Sequence, residues 1–141
     1  MLPAAVLIVV MVAGLAVDGT VAFLARHQLD DAVAAAANDA VTEGLDRARF
    51  DTDAEYTLDS VATVAAVRRS LAARNDPVLN YALAHNGVAV SLAATGNPSR
   101  PAVVTVTVTS RVDLIFTKAI PGLAGTIEVR SRESASAVLT P

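Results

Sequence analysis

The side chains that most often carry out chemistry are few and scattered in this 141-residue chain, which contains no cysteine and two histidines. His27 and His85 have no neighbouring histidine at a metal-ligand spacing. Ser60, Ser70 and Ser91 lie in no Gly-x-Ser-x-Gly turn, and no glycine-rich phosphate-binding loop opens a helix. We therefore predict no metal, no cofactor, no small-molecule substrate and no enzymatic activity.

Paired carboxylates are the remaining candidates for acid–base or cation chemistry. Asp30 and Asp31 are adjacent on a predicted helix, so their side chains point in different directions. Asp51 and Asp53 precede a predicted helix N-terminus, where the helix dipole stabilises negative charge. The segment also lacks the glycine and distal glutamate of a calcium loop. Capping is sufficient to explain these acids.

Composition favours a membrane segment over a nucleic-acid-binding surface. The chain is 53% apolar and only 18% charged, and its formal net charge is −3. Proteins that hold nucleic acid through the phosphate backbone present clustered lysine and arginine, and this sequence has no such cluster.

The N-terminal region has the composition of a membrane-spanning helix. Residues 2–17 are sixteen consecutive uncharged residues; Asp18 follows, the apolar character then resumes to Ala25, and the next charge is Arg26. Sixteen residues of helix measure about 24 Å, whereas a span reaching Ala25 measures about 36 Å and covers a hydrocarbon core of about 30 Å. We predict a transmembrane anchor over residues 1–25 with the lipid bilayer as its partner.

A cleaved signal peptide is the alternative interpretation of the same residues. It would place the apolar region over residues 6–12 and the small-residue cleavage site over residues 14–16, before Val17. No basic residue precedes the apolar run, and the apolar helical pattern continues beyond that site, which favours the anchor. The flanking charges by themselves weakly favour a cytoplasmic C-terminus.

Helical periodicity continues directly after the anchor. No proline interrupts residues 20–43, so we expect one rod of about 40 residues whose second half is amphipathic. A capping-box pattern over residues 52–55 predicts a second helix that runs to the Asn75-Asp76-Pro77 stop. The predicted apolar seam of the rod consists of Leu29, Val33, Ala36, Ala37, Ala40 and Val41.

Beyond Pro77 the apolar pattern changes to a period of two. Asn86-Gly87 between two apolar runs predicts a hairpin of strands 78–84 and 88–93. Residues 103–109 alternate with β-branched side chains and predict a strand, as do residues 126–138. Residues 114–120 fit either a short helix or a strand extension.

These elements predict an α+β fold in which a long membrane-anchored helix and a second helix precede a roughly four-stranded antiparallel sheet. The predicted division is an anchor over 1–25 and an extracytoplasmic α+β domain over 26–141, helical over 26–76 and a sheet over 77–141. Such a sheet needs a helix on one face to bury its valines.

Three N-terminal segments carry a resemblance to a known family: residues 14–19 (GLAVDG), residues 23–26 (FLAR) and residues 28–37 (QLDDAVAAAA). This pattern resembles the N-terminal region of TadE/TadG-like proteins of Tad (Flp) pilus assembly. The resemblance implies a pilin-like architecture and a minor pilin-like or assembly component, held in the cell membrane by a single helix with its C-terminal domain outside the cytoplasm. It implies other pilin-like subunits as partners.

The residues expected to make anchor or partner contacts are Asp18, Gly14 and Phe23. Asp18 stands in an otherwise apolar segment, where a carboxylate either pairs with a basic group or amino terminus of a neighbouring subunit or lies at the water interface. The family has a basic leader where this chain begins Met1-Leu2-Pro3, which suggests a true start further upstream. The competing functional hypothesis is a secreted or tethered small binding module whose apolar N-terminus is cleaved.

Overall fold

The computed structural model describes residues 2–45, 56–93, 95–96 and 100–137. Within these ranges the chain forms three α-helices, five β-strands and one 3₁₀ turn. The helices are α1 (Leu2–Gly44), α2 (Ser60–Ala73) and α3 (Pro77–Ala84); the strands are β1 (Tyr56–Thr57), β2 (Val88–Ala93), β3 (Thr95–Gly96), β4 (Val103–Asp113) and β5 (Thr126–Ser136); the 3₁₀ turn is Thr117–Ala119.

Helix α1 is a single uninterrupted helix of 43 residues, which confirms the predicted rod. Its predicted seam is also confirmed, because every one of those six residues is buried, with exposed fractions between 0% and 7%. Small side chains dominate this seam, so the neighbouring elements approach the helix axis closely. The C-terminal half of α1 is therefore the central element of the core.

Helix α2 begins later than the capping-box pattern predicts. Asp59 is its N-cap, and the Asp59 carboxylate accepts hydrogen bonds from the backbone N–H groups of Val61 (2.7 Å) and Ala62 (3.0 Å). Leu58, which follows the capping-box residues and would fall within the predicted helix, instead lies before α2 and forms an isolated β-bridge with Leu45. The capping-box residues 52–55 lie outside the described residues.

The predicted strand over residues 78–84 is wrong, because this segment forms helix α3. Asp76 caps the helix by accepting from the N–H groups of Val78 (2.8 Å) and Leu79 (3.2 Å), and Pro77 occupies the first turn. Proline suits the first turn of a helix, because the N–H that it lacks would have no partner there and its fixed φ angle is helical. Asn86, with φ of 55°, and Gly87 then turn the chain from the end of α3 into β2.

The main sheet has three antiparallel strands in the order β2-β4-β5 rather than four. The strands predicted over 88–93, 103–109 and 126–138 are confirmed, with β4 continuing to Asp113 and β5 described to Ser136. Val106 pairs with Val90 on one side and Glu133 on the other, which places β4 at the centre. Strands β1 and β3 form a separate two-stranded pair.

The core lies between one face of this sheet and the helices. Buried and half-buried residues alternate strictly along β4 from Val103 to Ser110, as expected for a strand with one covered face. Helix α1 packs against α2, β4 and β5, and α3 packs on β4. The architecture is α+β, as predicted. Residues 114–125 connect β4 to β5 and carry the 3₁₀ turn; we call them the 114–125 loop.

Candidate functional site

The most unusual group in the described structure is the carboxylate of Asp18, which is only 4% exposed although it lies in the apolar part of α1. One oxygen, Oδ1, accepts hydrogen bonds from the backbone N–H groups of Ile115 (2.8 Å) and Phe116 (2.8 Å). The other oxygen, Oδ2, accepts from the N–H of Thr117 (2.8 Å). All these donors belong to the same chain, so Asp18 ties α1 to the 114–125 loop.

Asp18 acts as a helix cap supplied from a distant part of the sequence. The 3₁₀ turn Thr117–Ala119 has no side-chain cap of its own, since the residue at its N-cap position is Phe116. The first N–H groups of a helical turn have no partner within the turn, and an anion is favoured there. The Asp18 carboxylate thus lies in an apolar stretch of sequence, but each of its two oxygens accepts hydrogen bonds from backbone N–H groups.

Gly14 lies one turn before Asp18 on the same face of α1 and is also buried. A Cβ atom at Gly14 would overlap the ring of Phe116, its contacts there being Cγ, Cδ1 and Cδ2. Because glycine has no side chain, the Phe116 ring can pack directly against the backbone of α1 at position 14. We call the contacts of Gly14 and Asp18 with residues 115–117 the Asp18 clamp.

The 114–125 loop that the clamp holds is mostly apolar. Its base is closed by the hydrogen bond from the N–H of Leu114 to the carbonyl of Gly125 (2.8 Å). Ile115 is 65% exposed and Leu123 is 53% exposed. Its single charged residue, Lys118, forms an exposed ion pair with Asp113 (3.0 Å) at the end of β4. The loop thus presents large apolar side chains outward while its backbone is fixed.

Phe23, the third residue predicted to make anchor contacts, is not part of the clamp. Its side chain is 69% exposed, and its ring stacks on that of His27 one turn later, with 6.4 Å between ring centroids. Phe23 therefore lies on a free surface of α1, whereas Gly14 and Asp18 lie on the surface that faces the loop. The structure brings together two of the three residues and leaves the third available to lipid or to another protein.

The exposed surface of α1 changes character along its length. Large apolar side chains are at least 47% exposed at every position from Val6 to Val12. The same is true of Leu15, Val17, Phe23 and Leu24, and the side chain of Arg26 is 69% exposed. Among the described residues, α1 is the only helix long and apolar enough to span a membrane.

The histidines and serines considered in the sequence do not converge. His27 lies 3.9 Å from Asp31 on α1. His85 stacks on Tyr81 with 4.0 Å between ring centroids, at the far end of α3. Ser70 donates a hydrogen bond to Asp39 (2.6 Å), with no histidine in that contact.

We call the α+β part of the chain from residue 26 onward the head. Its described carboxylates mostly cap helices or pair across the surface. Asp59 and Asp76 are N-caps, and Glu43 pairs with Arg69 (2.6 Å). Asp51 and Asp53 lie outside the described residues. In the parts of the chain that the structure describes, no group of three or more His, Cys, Asp and Glu side chains is arranged to hold a metal ion.

A cleft of about 310 Å³ lies between α1 and the junction of α2 with α3. Its polar side chains are those of Gln28, Arg74 and Asp76, and the Asp76 carboxylate is already engaged in capping α3. The cleft therefore offers no constellation of acid, base and nucleophile. Its lining residues are Ala25, Gln28, Leu29, Ala32, Arg74, Asp76, Val78 and Leu79.

Sequence reasoning identified Asp18 but missed its partners. The donors at positions 115–117 are backbone N–H groups, which every residue except proline carries, so no side-chain type marks them. The available signal was the apolar run over residues 114–116, which continues past the end of the alternating pattern of β4; Leu114 and Phe116 are half-buried and Ile115 is exposed.

Comparison with protein-family models, with curated proteins and with solved structures finds no match for this chain. The function is therefore argued from the architecture and from the Asp18 clamp.

Proposed function

We propose that this protein is a membrane-anchored structural component of the cell envelope, in which the N-terminal half of α1 spans the membrane and carries the α+β head on its extracytoplasmic side. One observation carries the proposal. A single unbroken helix exposes large apolar side chains over its N-terminal half and forms the centre of the head core with its C-terminal half.

The energetics of exposure support membrane insertion of the N-terminal half. Apolar side chains exposed on all sides of a helix are unfavourable in water, and patches of this extent mark membrane or protein contacts. Leu, Ile, Phe and Val each favour the bilayer by about 0.3 to 0.6 kcal/mol at the centre of an inserted helix. The Asp18 carboxylate, the one charge in residues 2–25, has its hydrogen bonds satisfied within the chain.

The continuity of α1 makes anchor and head one mechanical unit. A head joined by a flexible linker would reorient freely above the membrane, whereas here the helix passes from the apolar segment into the core without a break. Such a unit is suited to a role in which a head must be held at a fixed height and orientation. Assembly of a surface structure is a role of that kind.

The particular role we propose is that of a minor pilin-like or assembly component of a Tad/Flp-type pilus or a related secretion apparatus. The resemblance of residues 14–37 to TadE/TadG-like proteins supports it, as does an anchor helix that leads into an α+β head. Other pilin-like subunits would contact the free surface of α1, where Phe23 and Leu15 are exposed.

Site-specific photo-crosslinking in the native host tests this role. A photoreactive phenylalanine analogue at position 23 should crosslink to a pilin-like chain in the membrane, and deletion of the gene should reduce the number of surface filaments. The same analogue at position 61, on the exposed start of α2, is the matched control. Normal filaments in the deletion strain together with crosslinks to lipid alone would contradict a role in the pilus while leaving the anchor intact.

A further inference from the structure

The position of the 114–125 loop relative to the apolar segment of α1 has a physical consequence. The loop contacts α1 at Gly14 and Asp18, whereas the first exposed charge after the clamp is Arg26. The eight residues from Asp18 to Arg26 correspond to about 12 Å of helix. The headgroup layer on each side of a bilayer is about 5 to 8 Å thick. If Arg26 lies at headgroup level, the loop lies at or below the hydrocarbon boundary.

The side chains of the loop suit that depth. Ile115 and Leu123 are exposed, and Lys118 is the single charged residue of the loop. The Lys118 ammonium group is paired with the Asp113 carboxylate (3.0 Å) at the end of β4, so the charge has a partner inside the protein while the methylene stem lies along apolar surroundings. A loop of a water-soluble head would ordinarily be polar instead, because its exposed residues face water.

Seven of the eleven backbone N–H groups of the loop have a hydrogen-bond partner inside the protein, so most of this backbone is prepared for an apolar environment. Irregular backbone is tolerated at membrane depth only where its polar groups have partners inside the protein. The Asp18 carboxylate accepts from three of the loop's N–H groups. Four more are donated to carbonyl groups of the loop itself, by Leu114, Ala119, Ile120 and Leu123.

We propose that the 114–125 loop is a second membrane-contacting element, which enters the interfacial layer of the lipid bilayer beside α1 and is held there by the Asp18 clamp. This inference rests on the proposed anchoring of α1. The protein then contacts the bilayer at two points, through the helix and through the loop. Two contacts restrain the head from rotating about the helix axis. Its β4–β5 end then faces the membrane and the start of α2 faces away from it.

Tryptophan fluorescence of the full chain in phosphatidylcholine vesicles tests the proposal, because the native sequence contains no tryptophan. Three variants each carry one reporter at an exposed apolar position: Leu7→Trp in the anchor, Leu123→Trp in the loop and Val61→Trp at the opposite end of the head. Val61 follows the N-cap of α2, whose backbone N–H bonds to the carbonyl of Gly44, about 39 Å along α1 from Asp18.

Lipids brominated near the headgroup end or near the middle of the acyl chain quench tryptophan according to its depth. We expect Leu7→Trp to be quenched by the mid-chain label and Leu123→Trp to be quenched roughly twofold, more strongly by the label near the headgroup. Val61→Trp should be unaffected by either. Ile115→Trp, at the other exposed apolar residue of the loop, should behave as Leu123→Trp does.

The two proposals fail in distinguishable ways. Quenching of Leu7→Trp with no quenching of Leu123→Trp and Ile115→Trp would overturn the loop proposal and leave the anchor standing. Unquenched loop emission whose wavelength shifts to the blue as the protein-to-lipid ratio rises would assign the loop to contact with a second copy, and would also overturn it. Absence of quenching at all three regions would overturn both the anchor and the loop contact.

Discussion

At the scale of single residues, the most informative group is the Asp18 carboxylate. It lies in an apolar segment, and both of its oxygens accept hydrogen bonds. Asp18 accepts from the backbone N–H groups of Ile115, Phe116 and Thr117, and no basic side chain takes part in these contacts. Buried donors that lose their acceptor are costly, whereas the net gain of making such bonds is modest. Asp18 therefore specifies where the loop docks.

Asp18→Asn should loosen the loop without unfolding the head. The amide keeps one acceptor oxygen and replaces the other with an NH₂ donor, which would face the N–H groups of the loop. Hydrogen exchange followed by mass spectrometry, on the full chain in detergent micelles, should show amide exchange in residues 114–120 faster by about tenfold or more. Asp113→Asn, which removes only the exposed pair with Lys118, should leave exchange at residues 115–117 unchanged. Equal exchange in both variants would show that Asp18 does not hold the loop.

Two glycines of α1 form a natural matched pair. A Cβ atom at Gly19 meets nothing within 4 Å, whereas one at Gly14 meets the Phe116 ring. Because alanine is the better helix former, Gly19→Ala should raise the free energy of unfolding by about 0.5 to 1 kcal/mol. Gly14→Ala should give none of this gain, because the added methyl group would displace the Phe116 ring from α1. Chemical denaturation in micelles measures both, and an equal gain in the two variants would rule out close packing at Gly14.

At the scale of elements, periodicity predicted the C-terminal half of α1 and strands β2, β4 and β5, because each has one face against the core, whereas the N-terminal half of α1 was predicted from its uninterrupted apolar run. Helix α3 was missed because residues 78–84 are apolar at positions that fit either period, and the adjacent Asn86-Gly87 favoured a hairpin. The deciding signal was the Asp76-Pro77 pair, a cap followed by proline in the first helical turn. The sequence could not predict that residues 114–125 dock on α1. The contacts are made by backbone N–H groups and by a glycine, and no side-chain type marks either of them.

The helical state of residues 77–84 depends on its cap. Asp76→Ala should lower the free energy of unfolding by about 0.5 to 2 kcal/mol, because two N–H groups at the start of α3 lose their acceptor. Thermal unfolding followed by circular dichroism measures the change. Asn80→Ala, at an exposed position of the same helix, is the control and should have little effect. A neutral Asp76→Ala variant would contradict the assigned capping.

The core around α2 depends on small side chains. Ala66 is 1% exposed and belongs to the buried core, whereas its neighbour Ala65 is exposed. Ala66→Leu should therefore lower the free energy of unfolding by about 1 to 3 kcal/mol through overpacking, and Ala65→Leu should be close to neutral. Denaturant titration of the two variants measures the difference. Equal stabilities would mean that the core around Ala66 has room that the structure does not show.

At the scale of the whole molecule, the apolar N-terminal segment and the head are joined by one helix rather than by a linker. The predicted division at residue 25 follows composition, but the contacts of the head with α1 begin at Gly14 and Asp18, within the apolar segment. A cut before Val17, as the signal-peptide alternative requires, would separate Gly14 from the Phe116 ring it accommodates. The clamp thus favours a chain that keeps its N-terminal helix.

The intact mass of the native protein, recovered separately from membrane and secreted fractions of its host, shows whether the apolar half of α1 is retained in the membrane. We expect a species in the membrane fraction whose mass includes residues 2–17, resistant to extraction by salt and released by detergent. A secreted species that begins near Val17 would contradict this expectation, because the apolar half of α1 would then be a removed signal sequence and the head a free binding module.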